Sequence, residues 1–462
     1  MGENHPIREK IKSICRYPFI RALLFFLFLM VFVLPMMTLF TSNRLDISER
    51  ENGFKKEPKN TLDAVYIGSS NAYTYFQPPL AWNDFGIAVY NYAVSSLRMW
   101  GIKYRIAEAR KTQPNALYIV NINSFKEKGF GAADYAVIHW NIDYMPFSIN
   151  RFCYTYDMVR GMGIDFFDSW EYFLPMIRFH SRWSSLKSTD YIHPISAYKG
   201  AGAEINYINN ISDNSNKPLK NHRTGNISDH QKKVLDDLMQ YIDREKIKVL
   251  FVRIPTMNEE NEWESLNTIE NILIERGYDC IDLYDVFSEL GLQKDTDYAD
   301  PGHTNIHGSI KITKYLSSYL IDHYGFQNKR GSAGWESWDD AAEKYIDLIK
   351  ISALDFEINH SPRDYNLKLS NAFDVKQEGT NQITILWEAI KNADGYLIYR
   401  KSKASGYQWI KIAEITNINK TSFTDTDLNE SEEYTYLVVP FYVQFGERIY
   451  GKYDPLGINI TL

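Results

Sequence analysis

The hydrophobic and polar positions fall into successive stretches of different pattern, and the first of them carries no charge. Residues 22–41, "ALLFFLFLMVFVLPMMTLFT", would extend over roughly 30 Å as a helix, which is the hydrocarbon thickness of a bilayer. No small-residue cleavage site follows this run, so the pattern predicts an uncleaved membrane anchor rather than a signal peptide. Residues 42–60, "SNRLDISERENGFKKEPKN", are polar and without period, and they predict a stalk.

The charges on either side of the apolar run bear on its orientation. A short tail is easily left behind while a large domain is exported, so residues 1–21 are expected in the cytoplasm. The chain beyond about residue 42 is then extracytoplasmic, held by a single pass through the cell membrane. The difference in basic residues is small: Arg8, Lys10, Lys12, Arg16 and Arg21 precede the run, and Arg44, Arg50, Lys55 and Lys56 follow it.

From Leu62 the pattern changes to apolar runs of strand length that alternate with amphipathic runs of helix length. The strands are "AVYIG", "ALYIVNI", "KVLFVRIP" and "YDCIDLY", and two of the helices are "WGIKYRIAEARK" and "HQKKVLDDLMQYIDREKI". This alternation predicts an α/β domain over residues 61–328, with a parallel sheet covered on both faces. It breaks down between about 125 and 230, where we expect an insertion over the sheet that shapes a ligand site, or else a helical subdomain with its own core.

The C-terminal part of the chain predicts a second domain. Residues 363–462 hold short strands separated by turn residues, with no helix, which is typical of an all-β sandwich. This region resembles a fibronectin type III domain, because Trp387 lies on an early strand and Tyr434, six residues after Leu428, takes the place of the corner tyrosine. Such domains usually act as spacers between other domains or bind ligands. Residues 329–362 predict a connector helix with one apolar face, formed by Trp335, Trp338, Ala342, Tyr345 and Ile349.

Composition narrows the classes of function. The chain has 462 residues and a net charge of −7, which argues against nucleic acid as a partner, since phosphate binding needs a basic face. Abundant tyrosine and tryptophan suit a surface that handles carbohydrate, although a bias of genomic composition explains them equally well. The three scattered cysteines form neither a disulfide framework nor a metal cluster. A Cys153–Cys280 bridge stays open.

Candidate chemistry lies at both ends of the α/β region. Gly68, Ser69 and Ser70 follow the first strand directly, where a nucleophile would stand at the rim of a parallel sheet. A serine hydroxyl needs a base, and the base needs an orienting group. Asp300 and His303, separated by a Pro-Gly turn before the last helix, supply both and can reach the same rim as Ser70.

These two motifs together resemble the SGNH/GDSL hydrolase family over about residues 61–325. The resemblance implies a three-layer parallel-sheet fold and a Ser-His-Asp triad of Ser70, His303 and Asp300, with Ser69 where many members have aspartate. It also implies an oxyanion hole, to which Ser70 contributes. Here the family's glycine is replaced by Ser95 or Ser96, and its asparagine by Asn121 or Asn123; we favour Ser96 and Asn123.

The Gly-Ser-Ser motif, the single anchor and the interrupted middle are similar to the membrane-tethered, DltD-like branch of this family. That branch works beside membrane-bound O-acyltransferases on cell-wall polymers, so such an enzyme is an expected partner. The segment "FHSRW", with His180, Arg182 and Trp183, is a candidate contact for an anionic or sugar substrate. The resemblance therefore implies an esterase or O-acyltransferase acting on acyl esters, acetyl foremost, of a cell-surface glycan or cell-wall polymer.

Two rival interpretations remain from the sequence. The cluster of Asp295, Asp297, Asp300, His303 and His307 could hold a metal, but the glycine and late glutamate of a calcium loop are absent, so we expect neither metal nor cofactor. The non-enzymatic alternative is a surface scaffold or adhesion protein with a degenerate hydrolase domain. The missing family glycine and Gly-x-Asn-Asp motif favour that alternative, and the intact triad residues oppose it.

Overall fold

The architecture comprises an N-terminal apolar helix, an α/β domain and a C-terminal β-sandwich. The computed structural model describes residues 18–126, 135–202, 222–257, 263–292, 297–358, 363–368, 373–405, 409–426, 428–454 and 456–462. The first helix is Pro18–Leu39, and its apolar side chains are largely exposed. It is the one described helix long and apolar enough to cross a membrane, a property that membrane spans share with signal sequences.

A five-stranded parallel sheet forms the centre of the α/β domain, in the order β2-β1-β3-β4-β5. Tyr66 of β1 lies opposite Asn91 of β2 on one side and Ile119 of β3 on the other. The strands are short and wholly buried except at β5, as expected where helices cover both faces. Their bounds are β1 Ala64–Ile67, β2 Val89–Asn91, β3 Leu117–Asn121, β4 Val249–Arg253 and β5 Asp279–Asp282.

Alternate side chains of each strand enter two separate cores. Val65 and Ile67 belong to one hydrophobic cluster, whereas Ala64 and Tyr66 belong to the other. Helices Met99–Ala109, Asp229–Glu245 and Trp263–Glu275 cover the first face. The second face is covered by helices Ser70–Tyr75, Phe287–Leu290 and Ile306–Tyr324, while helix Pro78–Phe85 lies alongside β2.

Residues 42–60 do not form the predicted stalk. They contain helix Leu45–Lys56, whose Ile47 and Phe54 join the first core. Its Glu51 is buried and accepts a 2.6 Å bond from Arg105. The stalk prediction is wrong because Arg50 and Glu51, two of the charged residues that suggested it, are buried against partners on the domain rather than exposed to water.

The insertion is helical and shares the first core. Ile142, Tyr154 and Tyr172 of its helices pack in the same cluster as Val65 and Tyr118 of the sheet, so the described part is a layer on the sheet rather than a subdomain with a separate core. Its helices are Tyr135–Ile142, Ile149–Gly161, Phe166–Phe173, Met176–Phe179 and Ser188–Ile192, with a 3₁₀ segment at His180–Ser185.

The connector helix is Glu336–Ile358, and it packs against helix Pro78–Phe85. Trp335, just before it, stacks on Trp82 at 5.0 Å between ring centroids, and Trp338 is buried beside them. Farther along, Tyr345 and Ile349 are buried against Leu80, Ile306 and Ile310.

The C-terminal domain is a sandwich of two sheets with its own cores. One sheet has the order β13-β10-β9 and the other β12-β11-β14-β15-β8, with β16 paired to β14. The hydroxyl of Tyr434 accepts a 2.8 Å bond from the backbone N–H of Asn429, which is the geometry of a tyrosine corner in a fibronectin type III-like fold. The strands of the sandwich are β8 Arg363–Lys368, β9 Asp374–Gln377, β10 Ile383–Leu386, β11 Gly395–Ser402, β12 Ile410–Ile415, β13 Ser422–Asp425, β14 Glu433–Gln444, β15 Glu447–Lys452 and β16 Ile458–Thr461.

A small hairpin precedes the sandwich in the chain. It consists of β6 Tyr298–Asp300 and β7 His303–Thr304.

Candidate active site

The strand order reverses between β1 and β3, which opens a crevice at their carboxyl ends. Gly68 follows β1 at this point. A β-carbon on Gly68 would lie 2.7 Å from that of Ala72 and 2.9 Å from that of Asn121, so only glycine allows the two strand ends to come this close. Ser70 then begins helix Ser70–Tyr75 at the mouth of the crevice.

Ser70, His303 and Asp300 form one chain of hydrogen bonds. The Ser70 Oγ lies 2.7 Å from the Nε2 of His303, and the Nδ1 of His303 lies 2.8 and 2.9 Å from the two carboxylate oxygens of Asp300. Asp300 also accepts a 2.7 Å bond from the N–H of Gly302. These distances suit a nucleophile, its base and the group that orients the base.

The β6–β7 hairpin delivers His303 to the serine. At its base, the buried Tyr298 donates a 3.1 Å bond to the carbonyl of Pro255. The Thr304 hydroxyl donates to the carbonyl of Thr74, in the serine's own helix, at 2.9 Å. Asn305 then caps helix Ile306–Tyr324 by accepting from two backbone N–H groups. The histidine is thus fixed relative to the nucleophile's helix by bonds on both sides.

A cavity of about 290 Å³ opens over the triad and is lined mainly by polar residues that follow β1, β2, β3 and β4, together with His303 and Gly302. The side chain of His303 is 29% exposed and that of Asp300 is 53% exposed, so the triad is reachable from solvent. A cavity of this size is at the small end of ligand sites.

Of the two serines considered for the oxyanion hole, Ser96 and not Ser95 lines the cavity. Ser96 has a φ of 55°, in the left-handed region that favours glycine, within a turn closed by a 3.0 Å bond from the Leu97 N–H to the Val94 carbonyl. Ser95 is buried, and its hydroxyl lies 3.0 Å from the hydroxyl of Tyr73.

The two candidate asparagines take different places. Asn123 lines the cavity, but its side chain also clamps the backbone of Ile254, with 2.9 Å bonds from Nδ2 to the carbonyl and from the Ile254 N–H to Oδ1. Asn121 is fully buried; its Oδ1 accepts the N–H of Asn123 and its Nδ2 donates to Oδ1 of Asn71, both at 2.9 Å.

This chain of bonds orients Asn71, a residue that the sequence interpretation overlooked. Asn121 Oδ1 already accepts a backbone N–H, so the Asn121 group that faces Asn71 is the Nδ2 donor. Asn71 must therefore accept this bond with its side-chain oxygen. The Ser69 hydroxyl donates to the same oxygen at 2.6 Å. The Asn71 amide nitrogen is left as a donor on a residue that lines the cavity. A polar residue directly after the nucleophile, in the first helical turn, was the available signal.

Two hydroxyls in the cavity wall are also noteworthy. Ser124 and Thr256 are 5% and 3% exposed, and their side-chain oxygens have no hydrogen-bond partner among the described residues. Leaving a buried hydroxyl unpaired costs about 1–3 kcal/mol. Both line the cavity, so a bound ligand with hydroxyl or carbonyl groups could satisfy them.

The structure does not bring His180, Arg182 and Trp183 into the cavity lining. They lie in the 3₁₀ segment of the insertion, where Arg182 donates to the carbonyl of Thr41 and to Asp190, each at 2.7 Å. Trp183 is 73% exposed on the surface. Local bonds thus tie Arg182 to the chain just beyond the N-terminal helix, and the role of these three residues as substrate contacts stays a prediction.

The residues considered as metal ligands or as a disulfide do not form such groups among the described residues. Asp297 pairs with Lys311 at 2.7 Å, and no group of three or more potential metal ligands occurs among the described residues; Asp295 lies outside them. Cys153 and Cys280 are unbridged thiols. Burial raises the pKa of the Cys280 thiol to about 12. Cys15 lies outside the described residues.

No family model and no curated protein matches the chain. Solved structures that match include fibronectin type III domains. That of human collagen XX is 18% identical, covers 22% of this chain and 98% of its own, and has a TM-score of 0.18. The FN1–FN3 domains of chicken CNTN1 are 18% identical, covering 20% and 30%, with a TM-score of 0.17. Likeness at this level concerns about a fifth of the chain and carries no information about the cavity at Ser70.

Proposed function

We propose that this protein is a serine esterase or O-acyltransferase of the SGNH/GDSL type. The observation that carries the proposal is the unbroken hydrogen-bond chain Asp300–His303–Ser70, which opens onto a solvent-accessible cavity. A hydrogen bond from nucleophile to base, with a second from the base to an orienting group, is the mutual geometry expected of a nucleophilic site. The position at the carboxyl ends of parallel strands, where α/β folds bind ligands, supports the same reading.

In the proposed mechanism the Ser70 oxygen attacks the ester carbonyl while His303 Nε2 takes the hydroxyl proton. Asp300 holds the Nδ1 proton and stabilises the imidazolium that forms. The tetrahedral adduct collapses when the alcohol leaves with the proton from Nε2, and an acyl group remains on Ser70. Water or a sugar hydroxyl then attacks the acyl-enzyme and gives its proton to Nε2. The second adduct collapses as the bond from the acyl carbon to Ser70 Oγ breaks and Nε2 returns that proton to Oγ, which regenerates Ser70 and releases the acid or the new ester.

The negative charge on the adduct needs donors that are already in position. The N–H of Ser70, at a helix start, has no intrahelical acceptor, and the N–H of Ser96 belongs to the left-handed turn in the cavity wall. We assign the side-chain donor to Asn71, whose oxygen is held by Ser69 and Asn121, and give Asn123 a bracing role through Ile254.

The substrate we propose is a small acyl ester, acetyl foremost, on a cell-surface glycan or cell-wall polymer. A cavity of about 290 Å³ suits a small acyl group, and the unpaired hydroxyls of Ser124 and Thr256 suit a polyhydroxyl alcohol. If helix Pro18–Leu39 anchors the chain with this domain outside the membrane, a membrane-bound O-acyltransferase is the natural partner for transfer. Hydrolysis and transfer differ only in which hydroxyl reaches the acyl-enzyme second.

A fluorophosphonate probe tests the proposal. Full-length protein should gain the probe's mass on Ser70, because the hydroxyl next to His303 is the activated one. Ser70→Ala should abolish labelling and His303→Ala should reduce it at least 10²-fold, the lower range for a general base. Ser332→Ala, at an exposed serine outside the cavity lining, is the control and should keep labelling. Labelling of Ser69, or none in folded protein, would favour the non-catalytic scaffold.

A further inference from the structure

Exposed apolar side chains outside helix Pro18–Leu39 are concentrated in the insertion. Phe167 is 85% exposed, Trp183 73% and Phe166 66%, and the ring of Phe166 contacts those of Phe167 and Trp170 at 5.6 and 5.5 Å. Soluble monomers rarely expose large contiguous patches of this kind, and such patches mark interaction sites. The insertion's apolar surface is the set Phe152, Phe166, Phe167, Trp170, Ile177 and Trp183.

This surface is continuous with the N-terminal apolar helix. The short insertion helix Met176–Phe179, which carries Ile177, contacts helix Pro18–Leu39. Arg182, next to Trp183, donates a 2.7 Å bond to the Thr41 carbonyl just beyond the end of that helix. Deeper, Phe147 of the insertion and Leu34 line one cavity of about 470 Å³.

These contacts fix the depth of the insertion relative to the helix. Leu34 lies about 8 Å before the end of the helix at Leu39, taking roughly 1.5 Å per residue. Interfacial helices sink about 5–10 Å into the boundary between headgroups and acyl chains. The cavity is also lined by Thr41 and Arg44, beyond the helix end, so it extends from the level of Leu34 to the level at which the chain leaves the helix. If helix Pro18–Leu39 crosses a bilayer, the insertion beside this cavity lies at the membrane boundary.

The charges of this region are mixed, so apolar contact rather than electrostatic attraction would hold it in a bilayer. Asp165 and Asp168 are exposed on or beside helix Phe166–Phe173, and Arg178 pairs with Glu171 at 3.2 Å. A surface that relied on anionic lipid would carry a clear basic excess. Tryptophan and phenylalanine instead suit the interface whatever the headgroup.

We propose that the insertion's apolar surface is embedded in the headgroup–acyl boundary of the membrane that helix Pro18–Leu39 crosses. The occupant of this surface is lipid. Two attachments, one spanning and one interfacial, hold the α/β domain at a fixed tilt and height, whereas a single helix would let it swing. The proposal is independent of the chemistry at Ser70 and rests on the helix being a membrane span.

Photocrosslinking of the full chain tests the proposal. p-Benzoylphenylalanine replaces one residue at a time in protein reconstituted into phosphatidylcholine–phosphatidylglycerol vesicles, and lipid adducts are read by intact mass after irradiation. Positions Phe167 and Trp183 probe the apolar surface. Leu29, in the middle of the helix, probes the span, and Phe445, 98% exposed on the β-sandwich, is the matched aqueous control.

Lipid adducts at Phe167, Trp183 and Leu29, with none at Phe445, are the expected result. Adducts at Leu29 alone would overturn the embedded surface while leaving the span intact. Crosslinks from Phe167 or Trp183 to a second protein chain would show a protein occupant and overturn the proposal as well. Without adducts at Leu29, the helix is not a span, and the proposal fails with its premise.

Discussion

At the scale of single residues, two adjacent serines follow the first strand and their hydroxyls have different partners. Ser69 donates to Asn71, whereas Ser70 lies 2.7 Å from His303. In the proposed mechanism the first bond holds the Asn71 amide and the second activates Ser70 as the nucleophile. In this proposal the end of β1 supplies both the attacking hydroxyl, from Ser70, and the hydroxyl of Ser69 that orients the Asn71 donor.

Asn71 and Asn123 can be distinguished by isosteric substitutions. Asn71→Asp keeps an oxygen for Ser69 and Asn121 but removes the amide donor, so kcat on an aryl acetate should fall about 10²–10³-fold with little change in thermal unfolding. Asn123→Asp instead loses the bond to the Ile254 carbonyl, and the free energy of unfolding should fall by about 1–3 kcal/mol. If Asn123→Asp abolishes turnover of folded protein while Asn71→Asp does not, the donor assignment is reversed.

The alternation of side chains along a strand could not separate Asn121 from Asn123, because residues two apart share a face, and the sequence favoured Asn123 only for its position nearer the strand end. What separates them is the partner of each amide: Ile254, 131 positions away in the chain, for Asn123, and Asn71 for Asn121. Ser96 differs again, since its left-handed φ depends on the turn that follows β2. The triad itself was predictable because its members stand beside strong markers, a strand end and a Pro-Gly turn.

The Cys280 thiol should be nearly inert in the native protein. Burial raises its pKa from 9.0 to about 12, so at pH 8 its thiolate fraction falls about 10³-fold. Its alkylation by iodoacetamide, followed by peptide mass spectrometry, should be slower by that factor than in denatured protein. The rate should rise about tenfold for each pH unit below 12. Rapid alkylation of the native protein at pH 8 would show that the Cys280 thiol on β5 is exposed to solvent rather than buried.

At the scale of elements, helix Leu45–Lys56 shows why local pattern misleads. Its sequence reads as polar, yet Arg50 and Glu51 are 6% and 2% exposed. Glu51 accepts from Arg105 and from the Tyr92 hydroxyl, partners that lie 54 and 41 positions along the chain. A polar side chain is expected on the surface only if the fold offers it no buried hydrogen-bond or ion-pair partner. Whether such a partner exists depends on residues far away in the sequence.

Glu51→Ala should therefore destabilise the α/β domain strongly. Removing one member of a buried ion pair leaves Arg105 charged and unpaired, which costs about 3–5 kcal/mol. Chemical denaturation should report the loss as a lower midpoint. Lys56→Ala on the same helix is the control and should change stability by less than about 0.5 kcal/mol, since Lys56 is exposed. A small effect of Glu51→Ala would mean that the helix is only loosely attached.

At the scale of the whole molecule, the two domains differ in how their cores are built. The α/β domain gathers residues from both ends of its sequence, since Ile47 and Trp338 share one cluster. Among the described residues, the clusters of the sandwich begin at Leu367. The change from alternating helix and strand to strand alone predicts a domain border before this point. The depth to which the connector helix enters the first domain was not predictable from its amphipathic pattern.

Two truncations test where the catalytic unit ends. A chain ending after Ile358 keeps the connector helix and should retain the turnover of an aryl acetate and the labelling of Ser70. A chain ending after residue 330 loses Trp338, Tyr345 and Ile349, all buried. Because large buried side chains are worth about 3–5 kcal/mol each, this loss approaches the whole stability of a domain.

The shorter chain should lose activity through His303 in particular. Tyr345 and Ile349 pack on Ile306 and Ile310, in the first turns of the helix that directly follows the catalytic histidine. Without them that helix start loosens, and the 2.7 Å contact between His303 and Ser70 goes with it. Thermal unfolding and fluorophosphonate labelling of both chains measure the two effects. If the chain ending after Ile358 folds but is inactive, the sandwich contributes to the site; if the chain ending after residue 330 is fully active, the connector helix does not support the triad.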